Sequence, residues 1–437
     1  MIHLDPMLVG VLGFVVFLVL LVIGMPIGIG MATVGFLGIL TLRGWDTALN
    51  TFFMLPYSAT ASWLLSVIPM FILMGSIAFF AGFTRDAYNC AYRWVGNYPG
   101  GISVATLMGA AAFGACSGSS IAATAALGRL ALPEMERFGY DRRLAAGVVA
   151  MGGTLSALIP PSILLVIYGV ITEESIGKLL IAGIIPGVVS MALFALLVVV
   201  WAKIRPQDAP RGEAFTWGER IRSLKDIIGI FILFVCVTGG IYTGMFTPTE
   251  AGAVGAFIIL VMAVVMRRIN WGSFREVVTE TLRVVSSIFL IVLGAYIFIQ
   301  FLALSRLPVD FANWVVDLQV NRLVIICGTV VVYLIMGCFL DALGLILLTV
   351  PFISPAIFAL GFHPIWFGVL VVKLVEIGLL TPPVGIQAYV LKGVAPDLSL
   401  KEIFSGFIPF FAVDILLMIG LLIAFPEIVM YLPGLMR

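Results

Sequence analysis

The chain has 437 residues, of which 62% are hydrophobic and 11% charged, with a net charge of +1 and a mean hydropathy of +1.18. Too few polar groups remain to clothe a soluble surface, so the composition places the chain in lipid. The near-zero net charge supplies no field for nucleic acid, and the five cysteines form no CxxC pair, which removes the usual signature of a metal or redox centre.

Apolar runs fall in chain order near 8–24, 26–42, 63–83, 144–172 and 180–202, then near 226–246, 248–266, 284–304, 364–395 and 404–424. About 20 apolar residues suffice for a helix to cross the hydrocarbon, and the alternating pattern of a lipid-facing barrel strand is absent. The first run follows MIHLDP, which lacks the basic start of a signal peptide, and is expected to stay as a helix. Between the third and fourth spans of each half lie apolar segments interrupted by small or polar residues, at 102–132 and 323–360. Each is long enough for two short helices forming a re-entrant hairpin. The polar stretch 203–226 carries Lys203, Arg205, Arg211, Arg220, Arg222 and Lys225, and is expected to be a cytoplasmic linker between halves. Five crossings on either side then put both termini outside, invert the halves relative to each other, and place 16 of the 24 basic residues inside.

The halves repeat. TLSALIPPS at 154–162 and EIGLLTPPV at 376–384 each set a Pro-Pro pair in an apolar run, 222 positions apart. The same shift carries Pro26 onto Pro248, Gly30 onto Gly252, Cys116 onto Cys338, Pro133 onto Pro355 and Gly139 onto Gly361. Proline inside a helix removes a backbone hydrogen bond and breaks it. Paired broken helices in corresponding halves point to a transporter's binding site, because non-helical backbone at membrane depth must be buried in protein or line a wet cavity.

The first hairpin tip, GACSGSS at 114–120, offers the hydroxyls of Ser117, Ser119 and Ser120 and carbonyls freed at Gly118, with the break from Thr154 to Pro161 able to face it. Neutral oxygens suit a hard cation of low charge, for which sodium is the natural candidate; small residues at such a tip also permit close helix packing. In the second half the break holds Gly378, Thr381, Pro382, Pro383 and Gly385, and the facing tip is expected between Cys338 and Gly344. Asp341 has no sequence-local cation and is a candidate cation ligand or polar contact in the cavity. Glu376 and Lys373 are three residues apart on one helix face and are expected to neutralise each other. Glu250 lies at an outer helix end, with a solvated or an interfacial role open to it.

Other function classes find little support. His3 and His363 belong to no HExxH or GxSxG motif, which leaves an intramembrane enzyme with only a serine such as Ser117 and a lysine base. No GxxxxGK[ST] loop exists for an ATP motor. A channel normally builds a ring on an oligomer axis, whereas this chain carries two unlike sites and an inverted repeat.

GACSGSS followed by PEMERFGYDRRLAAGVV, the TPTEAGAVGA segment, and GLLTPPVG followed by LKGVAPDLSLKEIFSG together resemble the large membrane subunit of the tripartite ATP-independent periplasmic (TRAP) transporters. The resemblance spans essentially the whole chain. It implies an all-α polytopic membrane protein of the inner membrane, with an inverted-repeat, elevator-type, ion-transporter-superfamily-like fold of two re-entrant helical hairpins and two broken transmembrane helices. The repeats would occupy 1–202 and 227–437. It also implies sodium-coupled import of an organic anion (a carboxylate or sulfonate), with no cofactor beyond the coupling ions. The first sodium site would fall on Ser117, Gly118, Ser119, Ser120, Thr154, Ser156 and Pro160. The second would fall on Asp341, Gly344, Gly378, Thr381 and Pro383, with the substrate cavity bounded by Ser119, Ser120, Pro161, Asp341 and Pro382. The implied partners are a small four-helix membrane subunit, expected as a separate chain, and a periplasmic substrate-binding protein. The alternative within the fold is a stand-alone sodium/anion symporter that needs no binding protein.

Overall fold

In a computed structural model describing residues 5–436, every regular element is helical. His3 lies outside those residues. The first half comprises α1 (Pro6–Val22), α2 (Ile27–Arg43), α3 (Trp45–Thr60), α4 (Val67–Phe80), α5 (Phe83–Val95), α6 (Gly101–Ser117), α7 (Ser120–Arg137), α8 (Arg142–Leu155), α9 (Ile163–Thr172), α10 (Ile176–Ala182) and α11 (Ile184–Ile204). The second begins with α12 (Trp217–Phe234), which runs through a π-turn at Val235–Gly239 into α13 (Gly240–Tyr242). There follow α14 (Pro248–Val265), α15 (Trp271–Ser305), α16 (Leu307–Asp317), α17 (Arg322–Gly337), α18 (Ala342–Ala359), α19 (Pro364–Gly378) and α20 (Ile386–Val394). The last helices are α21 (Leu400–Val413), continued through a π-turn at Asp414–Ile419 into α22 (Gly420–Ala424), and α23 (Glu427–Leu435). Seven of the helical stretches are long and apolar enough to span a membrane.

Both Pro-Pro segments interrupt helices where the sequence places them. Residues 156–162 separate α8 from α9, and 379–385 separate α19 from α20. The segment 102–132 becomes α6 and α7, which meet at Gly118 and Ser119, and 323–360 becomes α17 and α18, which meet at 338–341. Every residue from Leu144 to Leu155 in α8 and from Ile365 to Gly378 in α19 is buried. A helix apolar on all sides belongs at the centre of its protein. The two broken helices are therefore the core around which the others are arranged.

Hydropathy missed α3, α5, α16 and α23. In α5 the polar face dilutes the average: Arg85, Asp86 and Arg93 share the helix with buried Phe83, Ala87, Tyr88, Cys90 and Ala91. The expected linker 203–226 also shrinks. Helix α11 runs to Ile204, and α12 starts at Trp217 behind a capping box in which Thr216 N donates to Glu219 at 2.8 Å and Glu219 N to Thr216 Oγ1 at 3.3 Å. Two orphan helix-end donors are satisfied there at once, so helix wins over linker across 217–226. Glu250 serves α14 in the same way from Thr247, which settles its role as a cap.

The remaining linker, 205–216, is strapped to the first half. Gly212 N donates to Gly96 O at 2.9 Å, Gly100 N to Ala209 O at 3.0 Å and Asp141 N to Asp208 O at 2.8 Å. Arg137 pairs with Glu213 at 2.9 Å. The α5–α6 turn, the α7–α8 turn and the linker therefore share one end of the bundle, as the basic-residue bias requires of three loops expected on one side.

Close helix approach holds the surrounding layer. Along α2 and α15, a Cβ added to Gly35 would lie 2.9 Å from the Ile297 carbonyl carbon. Substitution of Gly35 by Val forces the helices apart, at a cost of about 1–3 kcal/mol for overpacking. The expected result is a lower melting temperature for the detergent-purified protein, read by thermal unfolding.

Candidate functional site

The first tip is made by a left-handed glycine. Gly118, at φ 60°, ends α6, and Ser119 caps α7, its Oγ accepting from Ala122 N at 3.3 Å. Only a residue without a Cβ fits there, because a Cβ on Gly118 would collide with the Pro161 carbonyl. The tip thus rests directly on the first break. One turn back, a Cβ on Gly114 would sit 2.6 Å from Ser156 Cα, and Ser156 Oγ donates to Ala110 O at 3.1 Å. Thr154 Oγ1 donates to Met151 O at 2.7 Å, and Ser162 Oγ donates to Ala157 O while accepting from Leu165 N at 3.3 Å. Hydroxyls that spend their proton on a carbonyl keep lone pairs for a cation. The carbonyl ends of α6 and α8 converge here, adding the negative ends of two helix dipoles. Ser117, Gly118, Ser120, Thr154, Ser156, Pro160 and Pro161 are all buried, and Ser119 is half-buried.

The second tip repeats this contact with a different residue. Gly337, at the end of α17, packs on the backbone of Gly378, where a Cβ would lie 2.6 Å from Gly378 Cα. Cys338 Sγ donates to Pro382 O at 3.1 Å, so this tip also rests on its break. Asp341 is the N-cap of α18, and its Oδ1 accepts from Gly344 N at 3.1 Å. One of its oxygens is thereby committed to the helix start. Thr381 Oγ1 donates to Ile377 O at 2.9 Å. Pro382 and Pro383 are exposed, in contrast to their buried counterparts Pro160 and Pro161. Both Pro-Pro bonds are cis.

Of the five residues expected around one substrate cavity, Ser119 lines a cavity beside the tips, whereas Ser120, Pro161, Asp341 and Pro382 line neither of the two found there. A cavity of about 340 Å³ beside the first tip is lined by Ser117, Ser119, Gly75, Phe79, Arg129 and Glu280, without Asp341 or Pro382. A cavity of about 560 Å³ beside the second tip is apolar, between Leu18 and Leu21 of α1 and Met336, Phe339 and Val384.

Two buried ionic groups were misjudged or missed from the sequence. Lys373 does not neutralise Glu376; its Nζ lies 2.9 Å from Asp414 Oδ1, with both side chains fully enclosed. The Phe194 ring is 5.2 Å from the same ammonium. Asp414 opens the π-turn before α22, and its place in an apolar run marks it as an ionisable group at membrane depth, a signal present in the sequence. Glu376 instead accepts from Ser120 Oγ at 2.9 Å and from Gln387 Nε2 at 3.0 Å. Its carboxyl therefore joins the start of α7 to both sides of the second break.

Removing one member of a fully buried ion pair strands the other, at a cost of about 3–5 kcal/mol. Lys373→Met is expected to lower folded yield and melting temperature sharply, whereas Lys373→Met with Asp414→Leu recovers most of the loss. Thermal unfolding of the three purified proteins checks this.

Residues 14–428 match the family described as "Tripartite ATP-independent periplasmic transporter, DctM component". The chain is 34% identical over 340 residues to the C4-dicarboxylate TRAP transporter large permease protein DctM of Pseudomonas aeruginosa, covering 77% of this chain and 79% of that protein. It is 32% identical over 418 residues to the sialic acid TRAP transporter large permease protein SiaM of Vibrio cholerae, covering 95% and 96%. Among solved structures, the YdaH transporter of Alcanivorax borkumensis aligns with a TM-score of 0.62 over 88% of this chain and 90% of its own, at 14% identity, a likeness of fold alone.

Proposed function

The chain belongs to the DctM family of TRAP transporter large permeases, and from that premise we propose that it imports an organic anion with sodium by an elevator movement, working with a small membrane subunit and a periplasmic binding protein. The observation that carries this reading is the doubled arrangement of a helix tip seated on a broken helix. Hydroxyl oxygens and two helix C-termini at the first tip form a neutral, oxygen-rich setting that suits sodium, held by groups among Ser117, Gly118, Ser119, Ser120, Thr154, Ser156 and Pro160. At the second, the candidates are Asp341, Gly344, Gly378, Thr381 and Pro383, with the uncapped oxygen of Asp341 supplying the negative charge.

The N-termini of α7 and α9 lie beside the first tip and provide dipole ends for an anionic substrate. Elevator movement would carry α6 to α9 and α17 to α20 as one body and bring Ser119, Ser120, Pro161, Asp341 and Pro382 around the anion. The membrane potential contributes about 2.3 kcal/mol per net charge per 100 mV, so sodium in excess of the anion's charge draws the loaded carrier inward. The relatives named for C4-dicarboxylate and sialic acid support a carboxylate cargo. On the basic-residue bias, the end of the bundle carrying 205–216 faces the cytoplasm and both termini the periplasm.

The test is uptake of radiolabelled dicarboxylates and sugar acids into proteoliposomes holding this chain and its small subunit, with and without the binding protein and an inward sodium gradient. Uptake that needs both identifies the tripartite symporter and its cargo. Uptake without the binding protein makes the chain a stand-alone carrier. In the same assay Asp341→Asn and Ser119→Ala are each expected to raise the sodium concentration for half-maximal uptake about tenfold or more, the equivalent of one lost charged hydrogen-bonding or ion contact; wild-type sodium activation in either variant removes that residue from its site.

A further inference from the structure

Glu376 is fully buried, and its two carboxylate oxygens each have one donor: Ser120 Oγ at 2.9 Å on Oε1 and Gln387 Nε2 at 3.0 Å on Oε2. Those donors come from different places. Ser120 is the first residue of α7, directly after the first tip, whereas Gln387 lies beyond the second break and Glu376 before it. Gln387 closes the break twice, because its backbone N also donates to Leu379 O at 3.2 Å. Two residues after Glu376, Gly378 packs on Gly337 at the entry to the second tip. A continuous chain of contacts therefore runs from Ser119 and Ser120 through Glu376 to Gly378, Gly337 and the tip that Asp341 caps.

The bridge is kept at a cost. Pointing its NH₂ at the carboxyl leaves Gln387 Oε1 buried with no hydrogen-bond partner among the described residues, and a stranded acceptor disfavours the fold. Nor is the bridge a by-product of duplication. The repeat places Thr154 where the second half has Glu376, and the Thr154 hydroxyl stays within its own helix on Met151 O. Only the second half reaches across. The fully buried carboxyl cannot replace Ser120 by water, so a displacement of the α7 start either carries Glu376 with it or leaves a buried carboxyl short of a donor.

We propose that Glu376 is a positioning residue that couples the two sodium sites, making the geometry of the second break depend on occupancy of the first tip through its hydrogen bonds with Ser120 and Gln387. The inference rests on the sodium-coupled reading above. A coupling free energy between sites appears as a change of about five-fold or more in one site's affinity on filling the other, and a physical chain of contacts becomes a demonstrated pathway only when coupling is measured along it.

The experiment uses the large subunit with its small subunit and binding protein, titrated with sodium chloride against a potassium chloride control. Two readouts are taken: sodium-dependent uptake in proteoliposomes, and the sodium-induced rise in melting temperature of the detergent-purified complex. The variants are Glu376→Gln, Ser120→Ala, their double, and Ser120→Thr, which keeps the hydroxyl. Wild type should show sigmoidal activation. Glu376→Gln and Ser120→Ala should each give a Hill coefficient of about 1 and a half-activating sodium concentration raised about five-fold or more, the double no worse than either, and Ser120→Thr near wild type. If Glu376→Gln does not fold, Gln387→Met, which removes the other hydrogen bond to Glu376 and lies in neither sodium site, takes its place with the same expected outcome. Lys373→Met, a change buried on the same helix as Glu376, should lose stability without losing sigmoidicity. Sigmoidal activation in folded Glu376→Gln or in Ser120→Ala, or additive losses in the double, overturns the coupling. A wild type indifferent to sodium overturns the sodium reading itself, and the inference with it.

Discussion

The structure depends on one requirement, that backbone polar groups freed from a helix at membrane depth be served by protein. Two Pro-Pro pairs free such groups in the middle of α8–α9 and of α19–α20. Each break is met by the tip of a helix pair, and each meeting is close enough to require a glycine on one side, Gly118 against Pro161 and Gly337 against Gly378. Burial of the broken helices follows from the same need, since lipid could satisfy none of those groups. What the packing cannot satisfy by helix it satisfies with hydroxyls, and hydroxyl-rich, dipole-lined hollows are where small ions bind.

Those features that act locally were legible in the sequence. Proline breaks its own helix, and glycine and serine mark a tip, so both breaks and both helix pairs are found within a few residues of their expected positions. Apolar runs give most of the helices, but an amphipathic one such as α5 averages away its signal. Partner choice was not legible. The i, i+3 spacing argued for Lys373 with Glu376, yet both groups look outward from α19 to different neighbours, Asp414 on one side and Ser120 on the other. Ser120 is 256 positions from Glu376, and no local rule spans that distance. Asp414 itself could have been flagged as a lone acid in an apolar run, although its partner could not.

The halves have diverged in how they treat their centres. The first break is closed, with hydroxyls bonded within its own half and both prolines buried. The second exposes its prolines and reaches out with a carboxyl to the opposite half. The added Lys373–Asp414 pair anchors α19 to the π-turn after α21, so the second broken helix is held by ionic contacts as well as by packing. An enclosed pair of this kind adds little net stability over apolar residues of the same size, but it penalises every register of α19 that separates the two charges.

The strap at 205–216 gives the chain connection a structural meaning. Its carbonyls and amides complete the α5–α6 and α7–α8 turns, so the segment between repeats is part of the first repeat's own architecture. A gene encoding the halves as separate proteins would have to leave this segment on the first of them. A cut placed within 208–212 would loosen the partners of both turns at that end of the bundle, whereas one placed just before Trp217 would leave them whole.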